Sequence, residues 1–490
     1  MPPGGVTARQ TDTVASATIE YDAVIVGAGP NGLMAAITLA REGRSVLVIE
    51  ASDSIGGGCR SAELTRPGFV HDVCAAVHAL GAGSPAFAEL DLGRYGLEWL
   101  HPELPLAHPL DDGSAAVLHR SLDQTAAGLG ADARAWKRLM GPSVRNWSRL
   151  APQLLRPLVS VPRHPVALGR FGINALLPAS IVQRRFVTDQ ASALFGGCAA
   201  HAFLPLTAPL TASFGMMLAL TAQTEGWPVA KGGSQAVVDA LAAHLRDLGG
   251  TIQTGRRVQH LGDLPSHRAV LFDTNPAQMA SIAGDQLPAR YRARLRRFRH
   301  GPAAYKVDYA LDGPVPWTNP DCRRAGTVHV AGTFADIRAA EADVCAGRMP
   351  ERPFVLVAQQ GVIDPTRAPA GKHTFWAYAH VPNGWTGDAS EAIDRQVERF
   401  APGFRDLIVA RHVMPPAVLQ RYNPNYVGGD IGGGSHGGLQ LVFRPTPRLR
   451  PYTTPNPALF LCSASSPPGA GVHGMCGRNA ARVALANVLR

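Results

Sequence analysis

The sequence predicts an α/β protein in which a doubly wound parallel sheet is accompanied by an α+β unit. Three observations carry this. Tyr21–Val26 (YDAVIV) is apolar and β-branched, and it runs straight into a glycine turn that opens a helical pattern. The chain has 490 residues, more than the roughly 250–300 at which one hydrophobic core stops growing, so two consecutive or interleaved domains are expected. Residues 301–311 (GPAAYKVDYAL), 354–359 and 373–381 (HTFWAYAHV) alternate as strands do.

The first element is the most informative. Gly27-Ala28-Gly29-Pro30-Asn31-Gly32 is a GxGxxG placed between a strand and a helix. Gly27 allows the tight turn, Gly29 lets the backbone approach a pyrophosphate, and Gly32 lets the helix lie close against the strand, so the helix N-terminus faces the phosphates. The helix continues over 33–41 with small Ala35 and Ala36 suited to close packing on a sheet, Gly43 ends it, and a second strand at 45–49 leads to Glu50 and Ala51. A carboxylate there accepts hydrogen bonds from the ribose hydroxyls and repels the extra phosphate of NADP, which selects FAD or NAD. The next residues hold a second glycine turn, Gly56-Gly57-Gly58, followed by Arg60 and Ser61. A flavin dinucleotide is longer than one turn can hold. Amides at Gly56 and Gly57 and the Arg60 guanidinium suit its pyrophosphate and flavin end, so FAD is the expected cofactor.

These residues resemble the phytoene desaturase-like family of FAD-dependent oxidoreductases, relatives of the amine oxidases, in which GxGxxG, a ribose-binding Glu and a GGxxRS/T element follow one another. Three more segments extend the resemblance. Residues 67–74 (PGFVHDVC) look like a GF-x-x-D-x-G segment whose backbone passes close to the flavin, with Cys74 in place of the usual glycine. Residues 231–258 resemble the family's GG turn, helix and strand. The resemblance implies that the Val258 backbone meets the adenine end, an ordinary buried strand valine being the alternative. Residues 459–475 look like a terminal strand and flavin-covering loop that includes Gly471 and Val472, with Ser and Ala replacing a glycine-rich start. A helix over 476–488 would aim its N-terminus at the N1–C2=O region of the flavin.

The resemblance further implies a discontinuous FAD domain at 20–135, 226–280 and 452–490, with 269–274 (AVLFDT) as a central strand, while 136–225 and 281–451 build the substrate side. It places His71, Asp72, His78 and His473 near the flavin as candidates for proton transfer, a structural hydrogen bond being the alternative for each. Amine oxidase-like relatives hold a water near flavin N5 with a lysine, a role that Lys306 would fill unless it pairs with Asp308 on the same strand face. The implied activity is desaturation or oxidation of an apolar, polyene- or isoprenoid-like molecule. With no second GxGxxG after a strand, electrons would pass to oxygen or a quinone. Amine oxidation is a second reading, and shielding of prenylated partners without catalysis is a third, which the intact glycines, Glu50 and Arg60 oppose.

Composition bounds the rest. With 46% hydrophobic and 17% charged residues, the chain is ordinary for a globular protein, and no run approaches the roughly 18 apolar residues of a membrane span. Residues 1–20 lack the apolar core of a secretory signal, so a disordered leader is expected. Seven scattered cysteines without CxxC argue for a reducing, cytoplasmic setting and against a metal site. The net charge of +10 is nearly all arginine. No basic run is interleaved with aromatics, which argues against nucleic acid and leaves attraction to an anionic membrane surface as the better reading. Arginines mixed with Leu, Val and Trp over 136–225 fit either a solvated helical subdomain or such a surface. One face of 373–381 carries Thr374, Trp376, Tyr378 and His380, either a substrate wall or cross-strand packing.

Overall fold

A computed structural model describes residues 20–490; the expected leader, apart from Glu20, lies outside the described residues. A five-stranded, wholly parallel sheet runs in the order Leu459–Leu461, His267–Phe272, Tyr21–Val26, Val46–Ile49, Thr251–Gln253. Its strands are continuously apolar because both faces are covered. Ala23, Ile25, Val48 and Leu271 face the helices Pro30–Ala40, Gln235–Asp247 and Met475–Asn487, whereas Val24, Val26, Leu47 and Phe272 face the helix Pro276–Ala283. This is the doubly wound arrangement. The strand expected over 250–258 stops at Gln253, because Gly255 turns with φ +68°; Arg256 then donates its amide to Glu50 O at 2.9 Å, leaving Val258 buried but outside the sheet.

The second sheet has seven strands, ordered Ile408–Met414, Ala303–Leu311, His373–Val381, Val355–Ala358, Ala325–Val330, Leu104–Pro109, Ala115–Leu118. Only the Ala325–Val330 and Leu104–Pro109 pair is parallel. Leu104–Leu118, expected within the 20–135 segment of the first domain, therefore belongs to the other sheet. The Leu104–Pro109 strand is buried throughout, with Leu106 facing one core and Leu104 and Ala107 the other, so it needs cover on both sides.

Register sets what each face of this sheet offers. Lys306 stands opposite Tyr378 and Asp308 opposite Trp376, while Leu356 stands beside Tyr378. That face looks toward a helical layer that includes Ala133–Val144, Pro165–Ala175, Asp189–Ala200 and Thr211–Thr224. The reverse face, with Val307, Tyr309, Phe375 and Val357, packs on the helix Ser390–Phe400.

Candidate active site

The two glycine turns meet. Gly27 has φ +106°, and a Cβ on Gly32 would run into the Gly27 carbonyl, so the approach of helix to strand requires glycine at both positions. In the second turn Gly56 and Gly57 have φ +124° and +55°, and a Cβ on Gly57 would lie 3.2 Å from the Cα of Gly29. The Pro30–Ala40 helix starts at Gly29, which has no side chain of its own to cap it, and the buried Asn31 Oδ1 beside it has no partner. Glu50 closes the second strand: Oε2 accepts from the Ala28 amide and Oε1 from the Ser52 amide, each at 2.9 Å. Arg60 is buried, donates to Ser54 O (2.7 Å) and Ile55 O (3.1 Å), and lies 3.5 Å from Glu50. Ala51 is exposed beside them, and Gly58 is backed by the hydroxyl of Tyr426. Ser61 faces elsewhere, its hydroxyl donating to Asp72 at 2.8 Å. The glycine start of the helix, the paired glycine turns and the strand-end carboxylate are the parts that a dinucleotide needs.

Asp273 completes this end, and no motif in the sequence pointed to it. It follows the His267–Phe272 strand, accepts the Gly32 amide at 2.9 Å and is 8% exposed. Burial raises its carboxyl to about 8, opposed by the Gly32 amide and reinforced by the charge of Glu50. Asp273 is thus neutral at pH 7.

A cavity of about 820 Å³ starts at Gly29, Pro30, Gly57 and Gly58, passes beneath Ala470–His473, and ends against Phe203, Trp227, Trp376 and Tyr378. Gly471 (φ +117°) and Val472 thus line it, as do Cys74 and His78. Cys74 has no positive φ, so the missing family glycine costs the backbone nothing. The His473 Nδ1 accepts the Met475 amide at 3.0 Å, which puts its proton on Nε2, an atom with no partner. Burial holds both His473 and His78 down to about 4, so both are neutral imidazoles; Nε2 of His78 is engaged by Ser234 at 2.9 Å.

Residues 25–90 match the profile of the NAD(P)-binding Rossmann-like domain. A "pyridine nucleotide-disulfide oxidoreductase domain-containing protein 2" of Rattus norvegicus is 26% identical over 95% of this chain and 93% of its own. The phytoene dehydrogenase of Streptomyces griseus is 28% identical, covering 80% and 79%. Over most of its length the chain is thus similar to oxidoreductases, phytoene dehydrogenase among them. Among solved structures, cyclohexylamine oxidase from Brevibacterium oxydans has the same fold, with a TM-score of 0.56 and 16% identity over 95% of this chain and 98% of its own.

Three of the expected acid–base residues of this oxidoreductase stand behind the cavity wall and do not line it. Lys306, 2% exposed, is paired with the fully buried Asp308, with its ammonium 5.8 Å from the Trp376 ring centre. His71 has Nε2 2.7 Å from Thr65 Oγ1 and Nδ1 3.8 Å from Asp308, and burial holds it down to about 4. Asp72 pairs with Arg367 at 2.8 Å and accepts the Ser234 amide at 2.7 Å; burial alone would raise its carboxyl, but these partners lower it. Charges enclosed by protein need such partners, and these residues are engaged by Asp308, Thr65, Arg367 and Ser234. Of the Thr374–His380 face only Trp376 and Tyr378 reach the cavity, since His380 turns to Glu341 at 2.7 Å.

Proposed function

We propose that the chain binds FAD across the two glycine turns and uses it to desaturate or otherwise oxidise a largely apolar molecule, passing the electrons to oxygen or a quinone. The observation that carries this reading is the continuity of the cavity: one space joins the dinucleotide turns to an apolar chamber. Glu50 would hold the ribose, the amides of the two turns the pyrophosphate, and the backbone near Val258 the adenine end. The Ala470–His473 loop and the start of the Met475–Asn487 helix would cover the flavin. FAD, when bound, supplies the electron acceptor. The chain's own part is to exclude water with its apolar wall, to present the Nε2–H of His473 as a neutral donor, and to hold the substrate in place.

Amine oxidation is the second reading, suggested by the fold shared with an amine oxidase. Against it, the only acidic residue lining the cavity among the described residues is Asp273, at the dinucleotide end, so no carboxylate waits for an ammonium in the chamber. Release of the cofactor by denaturation should yield FAD by absorbance and mass; NAD, or no nucleotide after reconstitution, overturns the proposal. Anaerobic bleaching of the flavin by polyenes or isoprenoids, and not by primary amines, is the outcome expected in the second step.

A further inference from the structure

Two thiols stand opposite each other at the dinucleotide end of the cavity. The short antiparallel ladder of Ser61–Glu63 and Val70–Asp72 pairs Ser61 with Asp72 and Ala62 with His71. The same register runs on beyond these strands, where the Val73 amide donates to Arg60 O at 2.8 Å and the Ala75 amide to Gly58 O at 2.9 Å. Cys59 and Cys74 fall between these two bonds. They form a directly opposed pair that makes no ladder hydrogen bond, the kind in which Cα atoms lie about 4.5 Å apart. Disulfides span Cα distances of roughly 4.4–6.8 Å, so a bridge fits this register. Two residues along, the Ser61 hydroxyl reaches the carboxylate of Asp72 at 2.8 Å, which shows how closely opposed side chains meet on this ladder.

Both cysteines are buried, and both line the cavity beside Gly29, Gly57 and Gly58, whereas the next pair, Arg60 and Val73, does not. Of the seven cysteines, all among the described residues, only these two line it. Burial raises both thiols. Cys59 is held well above its ordinary value, with the charges of Cys74 and Asp72 adding to the effect of burial; for Cys74 the hydrogen bond from the Tyr426 hydroxyl and the charge of Lys306 oppose it. Cys74 therefore gives up its proton more readily than Cys59 and is the better placed to attack.

We infer that Cys59 and Cys74 are a second redox site of this chain, a dithiol that a hydroperoxide reaching the cavity closes to a disulfide. The Cys74 sulfur takes an oxygen from the peroxide: an S–O bond forms, the O–O bond breaks, and the thiol proton leaves on the departing oxygen. The Cys59 sulfur then displaces the oxygen held on Cys74, so that the S–S bond forms, the S–O bond breaks and water leaves with the Cys59 proton. The dithiol loses two electrons and the peroxide gains them. The resulting bridge ties the second glycine turn to the segment after Asp72. The site stands on register and cavity alone; that peroxide arises beside it rests on the proposed function, in which electrons passed to oxygen yield hydrogen peroxide.

The test uses the whole protein with Cys345→Ser, which removes the exposed thiol and leaves six of the seven cysteines. After treatment with hydrogen peroxide, quenching and denaturation, the titrated thiols should fall from six to four and return to six with dithiothreitol. Trypsin cuts after Arg60, between the two cysteines, so the bridge should join the peptides of Cys59 and Cys74 in a non-reducing digest read by mass spectrometry. Adding Cys59→Ser should stop the reaction at a sulfenic acid on Cys74, trapped by dimedone, and adding Cys74→Ser should leave Cys59 unoxidised at the same dose. Six thiols surviving a large excess of peroxide, a bridge between any other two cysteines, or Cys74 passing to sulfinic acid while Cys59 stays a thiol overturns the proposal. The thiol count and the joined peptides need neither serine variant of the pair, so a variant that fails to fold does not block the test. Peroxide is added and no flavin is read, so a failure of the FAD assignment would leave this result standing.

Discussion

Asp273 sits where a carboxylate is least welcome, under the turn that would receive a pyrophosphate, and keeping its proton solves that problem. In the unfolded chain it loses the proton near its ordinary 3.8, and in the folded chain only near 8. The folded state therefore binds the extra proton between these values, so the contribution of Asp273 to stability is fully present below 3.8, declines as pH rises to about 8, and is level above. FAD retention should weaken as pH is raised through 8, when the charge appears beside the phosphates. Asp273→Asn should flatten that profile, read by fluorescence of released flavin; an unchanged slope in the variant would remove Asp273 from the explanation. The Lys306–Asp308 pair gives a second prediction. Lys306→Met leaves Asp308 as a lone buried charge and should cost about 3–5 kcal/mol in urea unfolding, whereas adding Asp308→Leu should recover most of it. Flavin reduction that persists in the double variant would show that the pair is structural; its complete loss with FAD retained would return Lys306 to the chemistry.

At the level of elements, the decisive contact is the crossing of the Pro30–Ala40 and Met475–Asn487 helices. A Cβ on Gly477 would run into the carbonyl of Asn31, so the two backbones touch. Gly477→Ala should therefore destabilise by about 1–3 kcal/mol through forced separation and should loosen FAD as well, because both helix starts border the cofactor turns. Gly172 is the contrasting case: it lies in the Pro165–Ala175 helix with nothing within 4 Å of an added Cβ, and Gly172→Ala should stabilise by roughly 0.5–1 kcal/mol. The crossing was only half legible. The strand, turn, helix and acid from Tyr21 to Glu50 spell out their own geometry because all the partners are neighbours in sequence. Tyr422, whose hydroxyl donates to Gly57 O at 3.0 Å from 365 residues away, and Tyr426 behind Gly58 leave no local signal. Lys306 reads as a strand residue and lies in Ala303–Leu311, whereas His71 and Asp72, which read only as part of a segment near the flavin, lie in the short strand Val70–Asp72. Alternation puts Lys306 and Asp308 on one face and so allows for their pairing, whereas Arg367 and Ser234, the partners of Asp72, come from distant segments that no local pattern names.

For the whole molecule, the chamber is closed by both sheets at once, so ligand and fold should be strongly linked. With FAD bound as proposed, stripping it should lower the melting temperature, and FAD at 100 times its Kd should restore about 2.7 kcal/mol, with NADP restoring nothing. The order in which the parts are synthesised adds a further constraint. Leu459–Leu461 pairs with a strand made nearly two hundred residues earlier, and Met475–Asn487 covers a helix begun at Pro30. While the ribosome is still working through the middle of the chain, the turn at Gly27–Gly32 already exists but lacks its roof, and a cofactor captured then would have nothing to hold it. Loading should thus be a late event that reports complete synthesis: nascent chains stalled at residue 451 should carry no flavin, and flavin retained at that length would mean that the first turn suffices alone.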